Sequence, residues 1–121
     1  MFTNWKQYIS LYMKILVMRT LYYYSDRYPI AEKSLLSWAN EFSKIRFNNF
    51  NEVKQLYKNS SVVGNRRVIF HIKGNDFRLI VSMNFIQQAC YIIWFGTHKE
   101  YDRINVETID FDKDINTFKR K

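Results

Sequence analysis

The sequence predicts an α+β fold, with helices packed on one face of a mainly antiparallel, twisted sheet. Between Leu35 and Ile45, apolar residues recur at spacings of three and four, the period of a helix that buries one stripe. From Ser61 onward the apolar residues alternate instead, as in strands with one covered face. The dipeptide Gly74-Asn75 falls between two alternating runs and suits a tight hairpin, because glycine takes positive φ without steric cost.

KILVM (residues 14–18) is a short β-branched and aliphatic run that reads as a strand. Thr20 stands as N-cap for a short helix, LYYYSDRY, ended by Pro29, because the residue before a proline disfavours helical backbone. Leu35, Trp38, Ala39, Phe42 and Ile45 place the next helix over about residues 30–46, with Glu32, Lys33, Asn40 and Lys44 opposite. Asn51 is the expected cap of a third helix, EVKQLYK, whose Val53, Leu56 and Tyr57 point inward. Closing the hairpin on Gly74-Asn75 pairs Lys73 with Asp76, Ile72 with Phe77, His71 with Arg78, Phe70 with Leu79 and Ile69 with Ile80. One face is then apolar and faces the helices; the other carries Arg67, His71, Lys73 and Arg78. QACYIIWFG (residues 88–96) is apolar on both faces and is expected in the sheet interior. It runs into the densest polar cluster of the chain: His98, Lys99, Tyr101, Asp102 and Arg103.

A chain of 121 residues with 47% hydrophobic side chains, one proline and three glycines excludes disordered and low-complexity classes and is expected to form a single domain over residues 1–121. The lone cysteine, Cys90, has no disulfide partner, and no Cys/His set has zinc spacing, so a cytoplasmic protein without structural metal is expected. Lys6 and Lys14 break the apolar start, which predicts neither a membrane span nor a leader. The net charge of +8 favours nucleic acid as partner. Residues 106–121 carry four basic and four acidic side chains in near alternation, and little contribution to the core is expected from them.

RNA carries its own nucleophile, the 2′-hydroxyl, beside each phosphate. Cutting it requires a proton acceptor, positive charge on the phosphorane-like transition state and a proton donor for the leaving 5′ oxygen. Histidine, with an ordinary pKa of about 6.5, serves in either proton role. Arginine forks onto phosphate oxygens, and tyrosine rings stack on unpaired bases. Plainer readings stand beside this one. His71 is paired with a like-charged Arg78; Lys73 and Asp76 suit an exposed cross-strand ion pair; Asp102 suits a cap or a partner for Arg103. Tyr22, Tyr23, Tyr24, Trp38 and Phe42 sit on helices and read as core or partner contacts.

The segments GNRRVIFHIKGNDFRLIV (residues 64–81) and CYIIWFGTHKEYD (90–102) carry two signatures, F-x-I-K-G-N-x-x-R and G-T-H-x-E-Y-D. In their order and spacing they resemble the HigB family of bacterial type II toxins, within the RelE-like superfamily. The resemblance extends more loosely from about Met13 to Ile109. It implies a RelE-like fold and a metal-independent, cofactor-free mRNA endonuclease that cuts message held in the ribosome. It also implies a HigA-type helix-turn-helix antitoxin as partner. Carried over by motif position, His98, Tyr101, Lys73 and Arg78 are the implied catalytic set, with His98 or Tyr101 moving a proton and Lys73 and Arg78 stabilising phosphate charge. Arg67, His71, Asn75, Lys99 and Arg103 are the RNA-binding candidates; Asp102 and Gly74 hold geometry. Family members commonly carry Asn where this chain has His71. Residues 1–12 and 110–121 lie outside the usual span and read as extensions. Two other functions share the charge pattern: a non-catalytic RNA or ribosome binder using the same face, and a domain whose basic surface docks an acidic antitoxin segment. Intact mRNA after salt-dependent ribosome binding marks the first; tight antitoxin binding without growth arrest marks the second.

Overall fold

The computed structural model describes residues 12–16 and 18–120. β1 (Lys14–Leu16) leads into α1 (Met18–Arg27), a 3-10 turn (Pro29–Ala31), α2 (Glu32–Phe42) and α3 (Phe50–Leu56). There follow β2 (Ser61–Val63), β3 (Arg67–Ile72), β4 (Phe77–Asn84), β5 (Ala89–Thr97), the one-turn helix α4 (His98–Tyr101) and a second 3-10 turn (Lys113–Thr117). The five strands form one sheet in the order β1-β5-β4-β3-β2. Only β1 is parallel to its neighbour β5; the other pairs are antiparallel. The expected α+β architecture is therefore the observed one.

The hairpin register is as the Gly74-Asn75 turn requires, with His71 opposite Arg78 and Ile72 opposite Phe77. Gly74 has φ +64, and Lys73 before it also adopts a left-handed backbone, φ +56. Val68, Phe70, Ile72, Leu79, Val81, Met83, Cys90 and Phe95 form the sheet side of the core. Leu21, Tyr24, Leu35, Trp38, Ala39, Phe42 and Val53 supply the helix side. Aromatic contacts dominate the seam: the Trp38 and Phe42 rings stack at 5.0 Å, and both meet Phe70, at 5.2 and 5.5 Å. Gln88 is fully buried but satisfied. Its amide donates to the Phe47 and Phe85 carbonyls and accepts from the Phe47 N–H, while its backbone carbonyl accepts from the Lys14 N–H and so anchors β1.

Several expectations are corrected. Met18 opens α1 instead of ending a strand, which places Thr20 inside the helix, where it is buried; Val17 and residues 1–11 lie outside the described residues. α2 is shorter than the apolar stripe suggested, because Ser43 and Ile45 close a turn back onto Ala39 and Phe42. The cap of α3 is Asn49, which accepts from the Glu52 N–H at 2.9 Å, so the helix starts earlier than Asn51 and rotates Leu56 out to solvent. The acidic and basic C-terminal segment does join the core: Ile115 is buried, Phe118 meets Tyr23 edge-on, and Arg120 bridges Asp26 and Glu32. Ile115 and Phe118 are the apolar anchors in this polar segment, and the charge alternation concealed them. Among the described residues no helix is long and apolar enough to cross a membrane.

Candidate active site

The site is built on the turn that follows β5. Thr97 caps α4, accepting from the Glu100 N–H, while the Glu100 carboxylate reaches back to the Thr97 N–H at 2.8 Å. This reciprocal capping box explains why Thr and Glu stand three apart in the second signature: they form the turn that carries the other residues. The Tyr28 hydroxyl donates to the same carboxylate at 2.7 Å, fixing the turn to the end of α1. Burial works to raise the Glu100 pKa, but the donated bonds from Thr97 and Tyr28 outweigh it and hold the carboxyl below the usual range. The His98 N–H is bonded to the Asp76 carbonyl at 2.9 Å, which ties the turn to the β3–β4 hairpin.

Two side-chain contacts mark the turn and the hairpin beside it: His98 with Asp102, and Arg78 with Tyr101. His98 Nδ1 lies 3.3 Å from an Asp102 carboxylate oxygen, which leaves Nε2 free to exchange a proton. Arg78 is only 6% exposed. Its guanidinium donates to the Asn75 carbonyl, the Asn75 side-chain oxygen and the Phe77 carbonyl, at 2.8 to 3.2 Å. The guanidinium lies 5.8 Å from the Tyr101 ring centroid. Burial pushes the Tyr101 hydroxyl pKa up, so it is held in the protonated form; the Arg78 charge pulls the other way. His71, opposite Arg78, has its pKa lowered, first by desolvation and then by the nearby positive charges of Arg78 and Lys54, which favours its neutral form. Lys73 sits at the rim, 3.7 Å from Asp76.

Gly96 is the remaining neighbour of Arg78 in the sheet. A Cβ there would fall 2.6 Å from the Trp94 ring, which lies over the glycine and reaches towards Tyr101, 6.4 Å away centroid to centroid. Gly96, Thr97, Glu100, Tyr28 and Trp94 are thus supporting residues that the sequence reading left without a role. The T-x-x-E spacing was the available signal for two of them.

The structure gathers His71, Lys73, Asn75, Arg78, His98, Tyr101 and Asp102 at one end of the sheet, and leaves Lys99 and Arg103 exposed beside them. It separates Arg67, at the far end of β3. That guanidinium donates to the carbonyls of Val106 and Ile109, at 2.9 and 2.7 Å, and is committed to holding the chain's own C-terminal segment. The expected open cationic strip along the sheet is therefore corrected to a cluster at the hairpin end; Ile69 and Ile80, farther along the same face, are buried. Arg78 is likewise not an exposed fork for phosphate; its charge acts from beneath Tyr101 and His71. Among the described residues, no three His, Cys, Asp or Glu side chains are grouped to hold a metal ion.

An imidazole beside a carboxylate, a phenol and a buried guanidinium, carried by one turn and the neighbouring hairpin, are groups of the kind that acid–base chemistry at an anionic centre uses. A family model described as HigB toxin, RelE-like toxic component of a toxin–antitoxin system, matches residues 31–104. The "mRNA interferase toxin HigB" of Escherichia coli (strain K12) is 26% identical over 92 residues, covering 74% of this chain and 88% of the relative. The "mRNA interferase HigB" proteins of Escherichia coli O157:H7 and Shigella flexneri match to the same extent. The matched span contains both halves of the site, the hairpin and the capped turn, and it covers more than half of the sequence: the chain belongs to the HigB toxin family, the RelE-like toxic components of toxin–antitoxin systems.

Proposed function

We propose that this toxin is an mRNA interferase that cleaves message in the ribosomal A site by attack of a 2′-hydroxyl on the adjacent phosphodiester. The observation that carries the reading is the placing of His98, held at 3.3 Å by Asp102, and Tyr101 on the same one-turn helix, with the buried Arg78 guanidinium 5.8 Å from the Tyr101 ring. His98 Nε2 takes the 2′-hydroxyl proton, the oxygen attacks phosphorus, and the 5′ oxygen leaves with a proton from Tyr101, giving a 2′,3′-cyclic phosphate. Arg78 and Lys73 supply positive charge where negative charge develops on the non-bridging oxygens. The nucleophile belongs to the substrate, so no metal-bound water is required. The ribosome supplies positioning, the entropic part of the barrier. A HigA-type helix-turn-helix protein is the proposed antitoxin.

The test is purified protein added to a translating extract, with mRNA ends mapped. Wild type truncates message at codon-related positions and cuts free RNA poorly. His98→Ala and Tyr101→Ala each lower cleavage by about 10²- to 10⁴-fold, the usual worth of a positioned acid or base, and Arg78→Ala lowers it as well. Unchanged cleavage in all three variants removes the site assignment, and ribosome binding with intact message favours a non-catalytic binder.

A further inference from the structure

A second feature adjoins the cluster and shares His71 with it. β2 pairs with β3 only as far as Ser61 opposite Ile69, so the outer edge of β3 beyond Ile69 borders the α3–β2 loop instead of a strand. A cavity of about 240 Å³ opens in that step, between Tyr57, Lys58, Asn59 and Ser60 on one side and His71 and Gly74 on the other. Its wall is rigid. The Lys54 ammonium donates to the carbonyls of both Lys58 and Ser60, the Ser60 hydroxyl donates to the Tyr57 carbonyl, and the Tyr57 hydroxyl is fixed by Glu41 at 2.7 Å. The Tyr57 ring meets Phe70 edge-on at 5.1 Å. Against this fixed frame, the exposed side chains of Asn59 and Lys58 make no hydrogen bond or ion pair with any described residue. The Lys54 charge reaches His71, which marks how near the loop lies to the cluster.

A free carboxamide offers a donor and an acceptor side by side, the complement of an unpaired nucleobase edge; a free ammonium beside it suits the flanking phosphate. We infer that the cavity between the α3–β2 loop and the β3–β4 hairpin receives one unpaired nucleotide of the message next to the scissile bond, with Asn59 reading its base and Lys58 its phosphate. The inference rests on the mRNA-cleaving reading above and adds to it the residues that set base preference. Asn59 is solvent-exposed and unbonded, so its replacement leaves no buried group unpaired.

Two measurements test it. In a translating extract, Asn59→Ala redistributes the cut sites, relaxing base preference at one codon position by roughly tenfold, the scale of one bidentate base contact. Separately, ribosomes are programmed with mRNA that carries blocking 2′-deoxy substitutions and a single 4-thiouridine near the uncut bond. Irradiation then cross-links the probe to residues 57–60. Wild-type cutting with an unchanged cut-site distribution in Asn59→Ala, or cross-links confined to other segments, overturns the cavity assignment and leaves the cleavage reading standing. Cross-links to residues 57–60 without wild-type cutting uphold the cavity and overturn the cleavage reading; the absence of both overturns both.

Discussion

The two faces of the sheet are held by different physics. Against the helices, Phe70, Leu79, Val81 and Phe95 meet Trp38, Phe42 and Leu35 in a dry aromatic seam, stabilised by apolar burial. On the other face, residues 106–109 are attached by side chains reaching for their backbone carbonyls: Arg67 to Val106 and Ile109, and Asn65 to Glu107. The first arrangement resists change because it is close-packed. The second tolerates charged and partly desolvated groups, and the cluster of His71, Arg78, His98 and Tyr101 sits at the hairpin end of it. A rigid apolar side thus supports a polar side on which proton chemistry is possible.

That contrast can be broken from the helix side with the largest effect. Phe42 is fully buried and touches the rings of Trp38, Phe47, Tyr57 and Phe70, so Phe42→Ala should destabilise the fold by about 3–5 kcal/mol. Urea unfolding measures this, and a loss under about 1 kcal/mol would deny that this seam carries the stability. A medium effect is expected from Arg67→Ala on the opposite face. Two charge-assisted bonds are lost and two carbonyls are freed, costing about 2 kcal/mol. The loss should be local: amide exchange quickens over residues 104–110 and stays slow in α2. Equal quickening in both places would mean that the two faces unfold as one unit.

The smallest effect sharpens the comparison through pH. The folded chain holds the His71 pKa below its ordinary value, so as pH falls below about 6.5 the unfolded chain takes up the proton first. His71 therefore contributes stability that is full at neutral pH and declines as pH falls through that window. The decline is shallow, because the imidazole is exposed to solvent. His71→Asn should lose this part of the acid sensitivity, measured as the difference in unfolding midpoint between about pH 7.5 and 5.5 for the two proteins. An identical pH dependence in both would remove the desolvated, cation-flanked environment assigned to His71.

Local patterning made the helix side legible. The three–four spacing of Leu35, Trp38, Ala39 and Phe42 and the hairpin register around Gly74-Asn75 are short-range consequences of period and turn chemistry, and both stand in the structure. The candidate site was legible as a set of residues, because His98, Tyr101 and Asp102 share one turn and Lys73, Asn75 and Arg78 share one hairpin. Their depth was not. That Arg78 is nearly enclosed while Lys73 is exposed depends on Trp94, Tyr101 and the returning chain, which no period encodes. Arg67 looked the equal of Arg78 for the same reason: only the path of residues 104–109 shows that its donors are occupied. Helix starts were displaced where two capping residues stood close together, as with Asn49 and Asn51, since either can accept from a helix N-terminus and tertiary contacts choose between them.

The parallel pairing of β1 with β5 joins Lys14 to Ala89, so the first strand waits for the last before it has a neighbour. Closing so long a loop is entropically costly and belongs to the slow end of folding. The turn that carries His98 and Tyr101 begins at the residue after β5. A chain that has not yet formed β5 therefore has neither a partner for β1 nor the turn that follows β5.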